Sequence, residues 1–426
     1  MNVEEYLKSF YKGTKNPTLD AMKYFMDEYE NFEKEMKFIH IAGTNGKGSC
    51  TEMISNILVC QGYKVGKFLS PHLIKYNERM SINGKDISDE EMEELIEELK
   101  PKIDLYEKEK NTQVTLFELE TTMALLYFYR NKVDFVVLET GLGGIYDCTN
   151  IITKPLVSLI TSIGYDHMHI LGNTLPEIAY QKAGIIKKDS NTVFFEQSKD
   201  VNEVFENECK KKNNKLHLVK QEEIKNYSYD NQYQYFDYKD LKNIAVKLKG
   251  IKQINNSSIC IEAINILNKL GYEVTEKSLR EGIKTVIHRG RMEVLNENPL
   301  IIFDGAHNEP AIKNLQQTIN MYYKDYSKTY IVSILKRKDS DKMLSILLNE
   351  DENSTFIVTS GNGEEKYNSS EELYKTALKY KKENQKIYMK KLEDALEDTL
   401  KSNEKESVTF VIGSFYVYGN VINKIQ

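Results

Sequence analysis

The chain has no tryptophan and only seven prolines among its 426 residues. Its five cysteines, at 50, 60, 148, 209 and 260, form no C-x-x-C pair. An odd count at irregular spacing argues for a reduced, cytoplasmic protein rather than a disulfide scaffold or a zinc site. No apolar run approaches the roughly 18 residues that a membrane-spanning helix needs, so no membrane partner is expected. A strong excess of either charge is missing too. The net charge is -6, whereas a nucleic-acid binder carries a basic footprint, so no nucleic-acid partner is expected. The first residues, MNVEEYLKSFYKG, lack the apolar core of a signal peptide. No internal repeat or low-complexity tract is found.

What the chain does have is alternation. KFIHIA (37–42), VDFVVLET (133–140) and PLVSLITSI (155–163) read as buried strands, and SCTEMISNILVCQ (49–61) and TLFELETTMALLYFYR (115–130) as helices. Strands alternating with helices predict a parallel sheet and an α/β fold. The charged stretch 88–110 reads as the solvated face of a helix. Residues 190–250 are less regular, with 227–250 read as strands joined by turns at a sheet edge. SICIEAINILNKLG (258–271) returns to helix and stops at a glycine. A second series begins near 299, with strands PLIIFDGAHN, TYIVSIL (329–335), STFIVTS (354–360) and SVTFVIGS (407–414) and helices between. It predicts a second doubly wound domain, with the boundary in HRGRM.

The polar residues gather where these strands end. GTNGKGS (43–49) follows the first strand and opens a helix. It departs from the usual phosphate loop G-x-x-x-x-G-K-[ST], with Ile41 at the first glycine position and Gly48 after the lysine. Even so, free N–H groups at a helix start, the helix dipole and Lys47 suit a phosphate. The Ser49 hydroxyl can face a metal or a phosphate. Ser70 and His72, in FLSPHLIKYNERM, stand at another strand end, where Pro71 stops regular pairing. Glu139, in LETGLGGIYDCTN, is placed to hold Mg²⁺ through oxygen. Asp147 and Asn150, further along, could take a polar substrate or support a metal. Asp166 and His167 close a third strand. Lys182, by spacing alone, reads as a surface residue of its helix. Arg289 and Arg291, at the domain junction, could clamp phosphate bidentately. Asp304 and His307 sit in a loop that could face a ligand or simply cap a helix.

Taken in order, GTNGKGS (43–49), SPH with ERM (70–72, 78–80), LETGLGG..D.TN (138–150), TSIGYDH (161–167), QKAGI (181–185), RGRME (289–293) and DGAHN (304–308) resemble the Mur ligase superfamily. Within it they resemble the folylpolyglutamate synthases and dihydrofolate synthases. The resemblance implies a P-loop-type parallel-sheet ATPase domain (1–288) followed by a smaller Rossmann-like α/β domain (289–426). The implied activity joins a folate or dihydropteroate carboxylate to the amine of L-glutamate, with ATP as co-substrate and an acyl phosphate as intermediate.

Carried over by motif, Thr44, Asn45, Gly46, Lys47, Gly48 and Ser49 would hold the triphosphate. Asn256, Arg291 and Asp304 would bind the rest of the nucleotide. Ser70, Glu139 and His167 would ligate Mg²⁺. Lys182 would be a carbamylated lysine fixing a second Mg²⁺, which reverses the spacing-based reading. His307 would join Lys47 and Lys182 in catalysis. Thr115, Phe117, Glu118 and Asp147 would lie near the folate. Ile145 and Gln181 depart from the residues usual in the family. A cell-wall Mur ligase is the nearest alternative. Only 42 residues precede Gly43, too few for the separate nucleotide-sugar domain of those enzymes. A P-loop switch without ligation would leave RGRME and DGAHN without purpose. A monomer is expected.

Overall fold

The computed structural model describes residues 3–10, 18–361, 365–402 and 406–425. Of the N-terminal stretch read above, Val3–Ser9 is helical, and residues 1–2 and 11–13 lie outside the described residues. The chain divides into two compact units. The first comprises most of the chain up to Val286. The second begins at Ile287 and also takes in 230–232 and 248–252.

The first unit is built on an eight-stranded sheet. Its strands are β1 (Phe38–Ala42), β2 (Val65–Phe68), β3 (Met80–Ile82), β4 (Lys85–Asp86), β5 (Phe135–Glu139), β6 (Val157–Ile160), β7 (Asn191–Phe195) and β8 (Lys215–Val219). They lie in the order β4-β3-β2-β5-β1-β6-β7-β8. All pairs are parallel except β2–β3 and β3–β4. Helices follow most strands, so β1 (FIHIA), β5 (FVVLE) and β6 (VSLI) are buried on both faces, and they read as unbroken apolar runs for that reason. β1 lies between β5 and β6, where the order of connection reverses. Ligands of open α/β sheets bind at such a point, beyond the carboxyl ends of the strands.

Two expectations need correction here. Residues 190–219 are not irregular. They supply β7, the helix Lys199–Lys211 and β8, which extend the main sheet. Residues 227–250 do not form an edge of that sheet. β9 (Ile224–Tyr229), β10 (Gln234–Tyr238) and β11 (Leu241–Val246) make an antiparallel sheet of their own. The helix Asp89–Lys110 has its charged face in water, and it buries Met92, Leu95, Ile96, Leu99, Ile103 and Tyr106. Each such apolar side chain contributes roughly 1.5–3 kcal/mol on burial.

The second unit holds β12 (Glu293–Glu297), β13 (Leu300–Asp304), β14 (Ser327–Val332), β15 (Thr355–Val358), β16 (Lys386–Met389) and β17 (Ser407–Ile412). Their order is β12-β13-β17-β14-β15-β16, parallel throughout except for the β12–β13 hairpin. β12 and β16 are short, half-exposed edge strands, which explains their weak sequence signal.

Candidate active site

β1 leads into the loop 43–46, and the helix Lys47–Gln61 starts directly behind it. Gly46 caps that helix at φ +96°, a left-handed conformation that glycine adopts without strain. A methyl group on Gly46 would come within 2.7 Å of Asn256 Oδ1, so the loop and the helix Ile251–Lys269 lie in close contact. The loop is also laced to the segment after β6. Thr44 N–H donates to Ser162 O (2.7 Å), Ser162 Oγ to Asn45 O (3.0 Å), and Gly164 N–H to Thr44 Oγ1 (3.0 Å). These bonds fix the loop against the segment after β6.

Lys47 donates to Gly43 O (3.2 Å) and stands 3.9 Å from Glu139 Oε1 at the end of β5. Lys182 donates to the same carbonyl, Gly43 O, at 2.8 Å. Its spacing suggests an exposed residue, yet Lys182 is only 4% exposed. Its surroundings come from far away in sequence. A methyl on Gly144 would sit 2.7 Å from Gln181 O and 2.8 Å from Lys182 O, and Ile145 N–H donates to Gln181 O (2.9 Å). The glycine loop after β5 therefore lies against the main chain at the end of the helix Leu175–Lys182. Burial first, and the neighbouring Lys47 second, lower the Lys182 pKa to about 7, against the opposing pull of Asp166 and Asp147.

Asp147 is occupied within its own loop. It accepts from Leu142 N–H (2.7 Å), Thr149 N–H (3.1 Å) and the Thr149 hydroxyl (2.5 Å), while burial raises its pKa. The Thr149 hydroxyl, having given its proton to Asp147, accepts from His40 Nε2 of β1 (2.8 Å). That contact keeps the buried His40 in its Nε2–H tautomer, and burial lowers its pKa well below the usual value. Thr115 and Glu118 are likewise engaged with each other. The Thr115 N–H and hydroxyl both donate to Glu118 Oε2 (2.7 and 2.8 Å), a capping box that starts the helix Leu116–Arg130. Phe117 lies against Gly141 of the glycine loop, with its ring 5.8 Å from that of Phe68.

The SPH and ERM motifs turn out to be one network. Arg79 Nε donates to His72 Nδ1 (2.9 Å), and its guanidinium pairs with the buried Glu120. Glu78 accepts from the N–H groups of Leu73, Ile74 and Lys75, which shapes the loop that begins at Ser70. His167 takes a left-handed conformation (φ 49°), with Nε2 3.7 Å from Asp166 Oδ1. Among the described residues, no three of His, Cys, Asp and Glu converge on a metal-sized space. The Glu139 carboxylate and the Ser49 hydroxyl bring buried oxygens to this end of the sheet. Such a set fits Mg²⁺, which takes one or two protein oxygens and completes its shell with phosphate and water.

In the second unit, Asp304 ends β13 and links two loops. Its Oδ2 accepts from Met292 N–H (2.9 Å) and its Oδ1 from Ala306 N–H (2.8 Å). Burial raises its pKa, and Arg291 and the two N–H groups oppose that rise. Arg291 stacks over the Phe415 ring (4.5 Å), and the His307 ring is 5.7 Å from the same ring. His307 Nδ1 must carry a proton, because it faces the carbonyl of Gly305 (2.8 Å). Phe415 joins Arg291 and His307, and sequence reasoning did not single it out. It directly follows SVTFVIGS (407–414), which reads only as a strand. Gln253, which reaches the phosphate loop, was missed as well.

A nucleotide-binding strand-loop-helix, a strand-end glutamate and a buried lysine on one parallel sheet are the architecture of the Mur ligases, and residues 41–264 match the Mur ligase middle domain. Residues 290–424 match the dihydrofolate synthetase C-terminal domain. The chain is 37% identical to the dihydrofolate synthase/folylpolyglutamate synthase of Bacillus subtilis, over 78% of each chain. It superposes on Mycobacterium tuberculosis folylpolyglutamate synthase complexed with ADP and AMPPCP with a TM-score of 0.88 at 25% identity, covering 99% of this chain and 97% of that one. For Escherichia coli FolC in complex with DHPP and ADP, the TM-score is 0.84 at 26% identity, over 99% and 96% of the two chains. The chain belongs to the dihydrofolate synthase/folylpolyglutamate synthase family of Mur ligases.

Proposed function

We propose that this protein is an ATP-dependent ligase that joins the carboxylate of a folate or dihydropteroate to the amine of L-glutamate. The observation that carries the reading is the meeting of Lys47, Glu139 and the buried Lys182 around Gly43 at the head of the phosphate loop. Residues 1–288 would form the ATP-binding part and 289–426 the glutamate ligase domain.

A substrate carboxylate oxygen attacks the γ-phosphorus of ATP, the bond to ADP breaks, and an acyl phosphate forms. The glutamate amine then attacks the acyl carbon, inorganic phosphate leaves, and the nitrogen loses a proton to give the amide. Two anions must approach each other in the first step, so fixed positive charge and alignment dominate the catalytic demand. Thr44 to Ser49 would hold the metal-bound triphosphate, the Ser49 hydroxyl facing metal or phosphate, with Lys47 moving from Glu139 to the transferring group. By the family resemblance, Asn256, Arg291 and Asp304 would each bind the remainder of the nucleotide, and His307 would take part in catalysis. Ser70, Glu139 and His167 would hold Mg²⁺, which when bound neutralises phosphate charge.

Lys182, with a pKa near 7, offers a neutral amine at physiological pH. Its lone pair attacks CO₂ and a proton leaves, giving a carbamate that would serve a second Mg²⁺. At the folate end we assign Phe117 the contact, with Thr115, Glu118 and Asp147 shaping the wall around it. The protein would work as a cytoplasmic monomer.

The test is a panel of dihydropteroate and of tetrahydrofolate mono- and polyglutamates, each with ATP, Mg²⁺ and labelled glutamate. ADP release should require both a pterin substrate and glutamate. Hydrolysis of ATP without either would overturn the reading.

A further inference from the structure

The helix Ile251–Lys269 brings one side chain to the phosphate loop that none of these assignments uses. Gln253 Nε2 donates to Ser49 Oγ (3.2 Å), and Gln253 Oε1 accepts from Asn256 Nδ2 (3.0 Å). The backbone carbonyl of Gln253 accepts from the Ser257 hydroxyl (2.7 Å). Ser49 and Asn256 are both buried. Both ends of the Gln253 amide are therefore engaged, and its orientation is fixed by its neighbours.

The two amides are oriented alike along this row of contacts. An amide oxygen only accepts and an amide nitrogen only donates. Asn256 offers its nitrogen to Gln253, which turns the Gln253 nitrogen toward Ser49. The Ser49 oxygen must then accept. A hydroxyl has two lone pairs and one proton. With one lone pair committed to Gln253, the hydroxyl keeps its proton and one lone pair for the two remaining staggered positions.

We propose that Gln253 is a positioning residue for the metal–nucleotide complex, acting through the Ser49 hydroxyl and oriented by Asn256. The inference rests on the ATP-dependent reading above. It predicts that the contribution of Gln253 depends on the divalent cation, because the remaining Ser49 lone pair would serve the metal and not the base or the sugar.

The test is ADP affinity by calorimetry on the full chain, with Mg²⁺ and with EDTA. Gln253→Met should weaken Mg-ADP binding about fivefold to tenfold, as expected for loss of one ligand-orienting hydrogen bond. Binding in EDTA should change by less than about twofold. In a Ser49→Ala background the Gln253→Met change should add nothing further. If Gln253→Met loses its cooperative melt, Gln253→Asn, which keeps an amide but is one methylene too short, takes its place in the same measurements. Equal loss with and without Mg²⁺, additive loss in the Ser49→Ala background, or no loss would overturn the proposal. Wild-type protein that binds Mg-ADP but never ligates would end the ligase reading alone and leave these affinities to decide on Gln253.

Discussion

Glu139 and Asp304 each close a buried parallel strand, one in each unit, and their surroundings differ. Asp304 is gripped by two backbone N–H groups, of Met292 and Ala306. Glu139 faces the tip of a long, mobile lysine at 3.9 Å. An acid held by backbone cannot change partners without breaking the loops it joins. An acid opposite a flexible cation can hand that cation to a ligand and accept another. Position in the fold is therefore a poor guide to role, and the identity of the partner is a better one. Asp147 falls on the Asp304 side of this division, since Leu142 and Thr149 take its oxygens.

The largest effect should come from the mobile partner. Lys47→Ala should lower the ligation rate by at least ~1000-fold, as for removal of a group aimed at developing charge, with circular dichroism and melting temperature near wild type. Near-normal ligation would erase the contrast. Lys182→Ala should also lose ligation, but small carboxylic acids added to the assay should partly restore it. An absence of rescue would count against a carbamate.

The same lysine has a signature in stability. Its folded pKa of about 7 lies below the ordinary lysine value of 10.5, so between those values the unfolded chain binds up to one more proton than the folded one. Stability should therefore rise with pH across that window, and Lys182→Met should flatten the slope, as read by urea denaturation.

Asp304→Ala should act on the fold as well as on nucleotide binding. It leaves two loop N–H groups without their charged acceptor and should cost about 2–4 kcal/mol in the unfolding of the second unit. A variant with unchanged stability but lost ligation would move Asp304 to the Glu139 side. The smallest effect is expected for Thr115→Ala, about 1 kcal/mol from loss of a helix cap. A large rise in the folate KM with unchanged stability would show instead that Thr115 touches substrate.

Much of this was legible in the sequence where the signal is local. β1, β5 and β6 are unbroken apolar runs that end in Gly43, Glu139 and the TSIGYDH segment, so the loops of the site could be placed on one sheet edge. Thr115-x-x-Glu118 is a capping signature visible in the chain, though the family resemblance drew attention to the folate instead. Lys182 could not be read by period. Its surroundings are assembled from distant parts of the chain: its amine meets Gly43 O, and the loop at Gly144 packs on the end of its helix. Gln253 and Phe415 were hidden for the same reason, because each meets its partners across long sequence separations. β12 and β16 escaped notice because edge strands that are half in water carry little apolar pattern.

The contact at Gly144 has a bearing on how the protein can vary. The atoms that an added side chain would strike there are main-chain oxygens of Gln181 and Lys182, which no change of rotamer can move aside. Substitution at Gly144 would have to lift the whole loop off the end of that helix. A single missing carbon is what lets the end of one strand and a helix nearly forty residues further on share a surface.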